Sequence, residues 1–165
     1  MTVLQENPIA AFDREAVRAF YDAYFDALDG GRLEEWPDFF VAECRYRIIS
    51  RENYEAGQGL CIMQGDSRGM LADRVRAILK TQVYAPRYCR RFYSGLRIVK
   101  AVGGELEVRQ NLLIVQTLIN KPSEILGCGV GHDRLVLNES GELKFVDRTL
   151  ILDTEMIRNS IIYPA

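Results

Sequence analysis

The sequence holds a single histidine, His132, and that scarcity excludes more chemistry than any motif supplies. One imidazole cannot build a three-histidine zinc site within the chain, nor a mononuclear iron site of two histidines and a carboxylate. A Rieske cluster, held by two cysteines and two histidines, is excluded on the same count. The four cysteines, Cys44, Cys61, Cys89 and Cys128, lie far apart and form no Cys-x-x-Cys pair. Free thiols in a reducing cytoplasm are the simplest account of them. No glycine-rich phosphate loop opens a helix. Gly127-Cys128-Gly129-Val130-Gly131 falls inside an expected strand, where glycines mark a bulge or a close backbone approach. No apolar run reaches the roughly 20 residues of a membrane span, and residues 1–11 lack the order of a secretory signal. An excess of one charge is missing too. Against 23 acidic residues stand 21 basic ones, a net charge of -2, which gives no electrostatic case for nucleic acid or an anionic membrane.

What the chain does have is apolar strand pattern. Three long runs follow one another, at Glu105–Asn120, Glu124–Asn138 and Glu142–Leu152. Lys121-Pro122-Ser123 separates the first two, and Asn138-Glu139-Ser140-Gly141 the second and third. Both breaks are short and made of turn residues, so the runs read as consecutive antiparallel strands. Strands of this length form a curved meander that needs a lid. His132 and Asp133 are neighbours in the second run. Neighbours in a strand point to opposite faces, so this pair cannot form the base and orienter of a triad.

Upstream, Asp13 is a plausible N-cap with Glu15 in the first turn. Phe12, Ala16, Ala19, Phe20, Ala23 and Ala27 then recur at helical spacing up to Gly30-Gly31, with Tyr21, Tyr24, Phe25 and Leu28 widening the apolar face. Leu33, Trp36 and Phe40 share a face of a second short helix. Cys44–Arg51 reads as a strand, Asn53–Gly59 as a loop, and Leu60–Met63 as a short apolar segment compatible with a strand. Asp66-Ser67 opens a third helix with Leu71, Val75, Ile78 and Leu79 as its buried stripe. Arg90–Val102 is a further strand. A chain of 165 residues with 48% hydrophobic and 27% charged residues reads as one domain over 1–165. Within it, residues 1–11 form an N-terminal arm, and 154–165 a tail apolar enough to pack on the domain or on a partner. Helices over an antiparallel sheet define an α+β fold.

Acid–base catalysis without metal or histidine stays open from the residues alone. A curved sheet under helices can enclose a pocket, and Tyr24, Tyr46, Asp66 and Tyr93 are the candidates to line it. That alternative is a free-standing cone-fold enzyme resembling isomerases, cyclases or dehydratases.

The order of motifs adds a resemblance. Val108-Arg109-Gln110-Asn111-Leu112, then Gly129 to Asp133 with Leu135, then Arg148-Thr149-Leu150-Ile151-Leu152-Asp153 resembles the small (β) subunit of aromatic-ring-hydroxylating, Rieske non-haem iron oxygenases. Glu35-Trp36-Pro37-Asp38-Phe39-Phe40 with Cys44 and Tyr46 is similar to that family. So are Asp66-Ser67, Met70-Leu71 and Asp73-Arg74, followed by Tyr84, Arg87 and Arg90. The segments look most like members that act on carboxylated aromatics such as salicylate or terephthalate. The resemblance implies a nuclear-transport-factor-2-like (SnoaL-like) cone, and a heterohexamer of three large and three small subunits. It places the Rieske 2Fe-2S cluster and the mononuclear iron in the large subunit, with NAD(P)H acting through a reductase and ferredoxin. It leaves a structural, non-catalytic role here, in the cytoplasm. Arg91 stands where many members carry a histidine. With Asp133, Arg148 and Asp153, expected on an outer face, it completes the set of subunit-interface candidates.

Overall fold

The computed structural model describes residues 13–158 and 160–165; the expected N-terminal arm and Phe12 lie outside the described residues. Helix α1 (Arg14–Asp29) leads into a 3-10 segment (Leu33–Phe39) and strand β1 (Phe40–Ser50). Short α2 (Arg51–Glu55), β2 (Met63–Gly65) and α3 (Arg68–Lys80) precede four long strands: β3 (Arg87–Val102), β4 (Glu105–Leu118), β5 (Ser123–Leu137) and β6 (Leu143–Leu152). One six-stranded sheet runs β2-β1-β6-β5-β4-β3. The β3–β6 meander and the β1–β2 pair are antiparallel; β1 and β6 alone are parallel. A parallel pair cannot be joined by a tight turn, and here the crossover between the two is α2, α3 and the meander itself.

The helix caps follow the sequence. Asp13 accepts from the Glu15 amide, and Ser67 caps α3 by accepting from the Met70 amide. Each offers a side-chain oxygen to an amide with no partner inside the helix. The phase of α1 differs from the alanine stripe. Val17, Tyr21, Tyr24, Phe25, Ala27 and Leu28 are buried, while Ala16, Ala19 and Ala23 are exposed. The concave sheet leaves a deep space, and rings fill it where methyl groups could not. Three other expectations shift. Arg51–Glu55 is helical, taking Arg51 from the expected strand and residues 53–55 from the expected loop, the strand beside β1 starts at Met63, and Leu79 lies outside the α3 stripe, 46% exposed.

Curvature comes from irregularities in β5 and β6. Leu126 is an extra residue between Ile125, opposite Val115, and Gly127, opposite Ile114. At Gly129 a Cβ would sit 2.0 Å from the Ile151 carbonyl oxygen, so only glycine permits that approach. The core gathers on the concave face, where α1, the 3-10 segment and α3 close over the sheet. Among the described residues no helix is long and apolar enough to cross a membrane.

Candidate functional site

The inside of the cone holds a charge pair. Arg148 on β6 and Asp133 on β5 are directly opposite in the strand register, with Nη1 and Oδ2 2.7 Å apart and both side chains 0% exposed. They meet because β6 carries one extra residue, Val146, between the partners of Leu135 and Arg134. Counting back from the hairpin without that bulge would have set Asp133 against Asp147. A buried ion pair lasts only when further hydrogen bonds support it; the neighbours supply several, while Asp133 Oδ1, Arg148 Nη2 and Gln110 Oε1 are buried without a partner. The Tyr21 hydroxyl donates to Asp133 Oδ2 at 2.6 Å, and Gln110 Nε2 approaches the same oxygen at 3.4 Å. Arg148 Nε donates to the Tyr24 hydroxyl at 3.1 Å and to the Ala165 carbonyl at 3.2 Å. The guanidinium carbon lies 4.6 Å from the centre of the Tyr24 ring and 5.2 Å from that of Phe145, positions where the ring faces stabilise a cation.

The tail takes part in this network. Tyr24 donates to the Ala165 carbonyl at 2.7 Å and accepts from Trp36 Nε1 at 3.0 Å. The Ala165 amide donates to the Tyr46 hydroxyl at 2.7 Å. Arg91, on β3, donates to the Pro164 carbonyl and pairs with Asp29 at the end of α1. Residues 164 and 165 are therefore held inside the mouth of the cone, both buried. A groove of about 600 Å³ opens beside them, lined by Asp29, Tyr84, Arg87, Arg90 and Tyr163, and its walls stop short of Arg148 and Asp133.

Electrostatics follow burial. Desolvation lifts the Asp133 carboxyl above its ordinary range, while Arg148 and the Tyr21 hydroxyl pull it down. Burial also opposes the Arg148 cation, but Asp133 and the surrounding tyrosines outweigh it and its pKa is raised. The Tyr21, Tyr24 and Tyr46 hydroxyls are all raised, chiefly by burial, and so remain donors at neutral pH. The cluster holds charge and donates hydrogen bonds; Asp133 Oδ2, the Tyr24 and Tyr46 hydroxyls and the Ala165 carbonyl are occupied by the chain itself, while Asp133 Oδ1 is not.

Comparison with known proteins places this architecture. The family described as ring hydroxylating beta subunit matches residues 24–159. The chain belongs to that family. The small subunit of anthranilate 1,2-dioxygenase from Burkholderia cepacia is 32% identical over 141 residues, 86% of this chain and 87% of that one. A beta subunit of the terminal oxygenase component of terephthalate 1,2-dioxygenase from a Comamonas species is 24% identical over 138 residues, 84% of this chain and 89% of that one. A solved beta subunit attributed to an aromatic-ring-hydroxylating dioxygenase of Novosphingobium aromaticivorans superposes with a TM-score of 0.85. It is 32% identical and covers 95% of this chain and 99% of its own.

In this ring-hydroxylating beta subunit the candidate residues separate. Asp133 and Arg148 lie in the interior, which corrects the expectation that they mark an outer face: the β5–β6 register turns both inward. Arg91 is buried at the mouth. Asp153 is at the surface, paired with Arg51 at the start of α2. Of the pocket candidates, Tyr24 and Tyr46 meet at Ala165. Tyr93 stacks on Phe25 with its hydroxyl on Asp22 and is pushed up to about 12, by burial first and then by that carboxylate. Asp66 is exposed and accepts from Gln64. Tyr21 was expected on the widened apolar face of α1 but not among the pocket candidates, although its spacing of four from both Val17 and Phe25 was a usable signal. The side chains present do not fit either iron group of the family. His132 lies on the outer face with its Nδ1 3.3 Å from the Tyr54 hydroxyl, and buried Cys44 and Cys89 have three strands between them. Among the described residues no three His, Cys, Asp or Glu side chains gather as metal ligands.

Proposed function

We propose that this chain is the structural small subunit of a multicomponent oxygenase that hydroxylates a carboxylated aromatic. In this reading large subunits hold the Rieske cluster and the mononuclear iron, and a reductase delivers electrons from NAD(P)H. Three copies of this chain support three large subunits. One observation supports the non-catalytic part: the Tyr24 and Tyr46 hydroxyls and Arg148 are bonded to Ala165 of the same chain, and Asp133 is paired with Arg148 and Tyr21. The substrate class draws on the two dioxygenases named above, since anthranilate and terephthalate are both aromatic carboxylates.

Co-expression with a large subunit tests the reading. The expected result is a brown complex of the mass of three large and three small chains, which falls apart or fails to form when this chain is omitted. Turnover of an aromatic or ketone substrate by this chain alone, or failure to co-purify with an iron–sulfur protein, would overturn it.

A further inference from the structure

The outer face of the sheet treats charge differently from the inside. On its β1–β6 side, α2 lies over the sheet: Tyr54 packs edge-on to His132 with ring centres 5.8 Å apart, and Ile49 and Ile151 are buried. Apart from that Tyr54 contact on β5, no described helix covers the outer face of β3–β5. Side chains there form rows that can be read from the strand register.

One row is neutralised. Lys100, Glu107, Arg134, Asp147 and Arg45 are in register, and Arg134 reaches Glu105 at 3.0 Å while Arg45 reaches Asp147 at 3.4 Å. In the adjacent row, among the described residues, only Arg47 has an acid in reach, Asp147 at 3.9 Å. Arg97, Arg109, His132, Thr149 and Arg47 follow one another across five strands with no acid among them. Arg97 enters this row because of an irregularity after Ser94, where Gly95 takes a φ of +62°. Among the described residues neither Arg97 nor Arg109 has a carboxylate within 4.0 Å. Arg109 Nε is buried without a hydrogen-bond partner. Like charges directly opposite on neighbouring strands destabilise the pair. The field reaches His132, whose imidazole is held below its ordinary range by burial first, then by Arg109, with Arg51 and Arg97 adding and Glu107 opposing.

Beyond Asn111 the face turns apolar. Phe92, Leu113 and Cys128 are in register, and Phe92 is 58% exposed. The next row, Arg90, Val115 and Ile125, continues the patch. An apolar centre with aromatic side chains beside arginines is the composition of a protein–protein interface. Arginine's planar fork suits a carboxylate.

We propose that the outer face of β3–β5 is the docking surface for the large subunit, taking a segment whose carboxylates sit on Arg97 and Arg109 and whose apolar side chain covers Phe92 and Leu113. The proposal rests on the scaffold reading above and names the surface it uses. A second copy of this chain is the poorer occupant, because the same face apposed to itself sets cation against cation.

The test measures binding of this chain to the large subunit, with Arg97→Glu/Arg109→Glu, Arg97→Lys/Arg109→Lys and, as a control on α3, Arg76→Glu. Urea midpoints of the isolated variants establish that each folds. Affinity for the charge-reversed pair is expected to fall at least about thirty-fold. The lysine pair should bind in between, and Arg76→Glu should bind like the parent. Raising salt should weaken the parent and strengthen the reversed pair, whose glutamates repel the partner's carboxylates. If the reversed pair folds and binds with parental affinity and salt dependence, this surface is wrong while the scaffold reading stands. If the parent chain itself never binds a large subunit, the scaffold reading falls first.

Discussion

The two faces of one sheet handle arginine in opposite ways. Inside, Arg148 has a carboxylate directly across the strand pair, a carbonyl, a hydroxyl and four ring faces. Outside, Arg97 and Arg109 face each other and His132 with no described carboxylate in reach. The inner arrangement is charge-balanced, although Asp133 Oδ1 and Arg148 Nη2 each lack a hydrogen-bond partner. The outer arrangement is open, and leaves binding capacity unspent. In a subunit argued to act by assembly, the open face rather than the charge-balanced interior is where function is expressed.

The sharpest break of this comparison is at Asp133. Asp133→Ala leaves Arg148 buried and unpaired, and stability should fall by about 3–5 kcal/mol; urea unfolding measures it. The double variant Asp133→Leu/Arg148→Met should recover most of that loss, because apolar groups of similar size replace a buried pair at little cost. A double variant as unstable as the single one would show that the pair does more than balance charge.

Next comes Tyr24→Phe, which removes a hydroxyl that donates to Ala165 and accepts from Trp36 and Arg148. Leaving those buried groups without a partner should cost about 1–3 kcal/mol. On the outer face the scale drops. Phe92→Ser in the isolated chain should change stability by no more than about 0.5 kcal/mol, since the ring is already largely in water. A loss as large as that of Tyr24→Phe would mean that the outer face is part of the fold's own core.

The smallest effect is one of pH. His132 has its imidazole held below the ordinary value of 6.5, so the folded state favours the neutral form. As pH falls below 6.5 the unfolded chain takes up a proton before the folded chain does, and stability declines through that window. Above 6.5 the contribution is fully present. His132→Gln should flatten this part of the stability–pH curve, and because the chain has no other histidine the change is unambiguous.

Much of the sheet was legible. The breaks at 121–123 and 138–141 lie where β4, β5 and β6 are joined, because turn residues interrupt period-two runs that nothing else could explain. The glycines of β5 read correctly as a bulge and a close approach. The interior was not legible, for a physical reason. Whether Asp133 meets Arg148 or Asp147 depends on one bulged residue, Val146, and a bulge has no strong residue signature. The phase of α1 was half legible: Tyr21, Tyr24, Phe25 and Leu28 were expected to widen the apolar face and are its centre, whereas Ala16, Ala19 and Ala23 of the expected stripe are exposed, because the depth of the cone selects larger rings. The cationic row lies beyond sequence reading too, since it joins five strands whose register only the folded sheet defines.

The central claim, that the inner cluster is structural and the chemistry lies elsewhere, is tested most directly by turnover per iron centre in intact complexes built with Tyr24→Phe or Tyr46→Phe. The account predicts less stable small subunits but an unchanged rate of aromatic hydroxylation for each assembled iron centre. An intact complex whose rate per centre collapses on loss of either hydroxyl would contradict it.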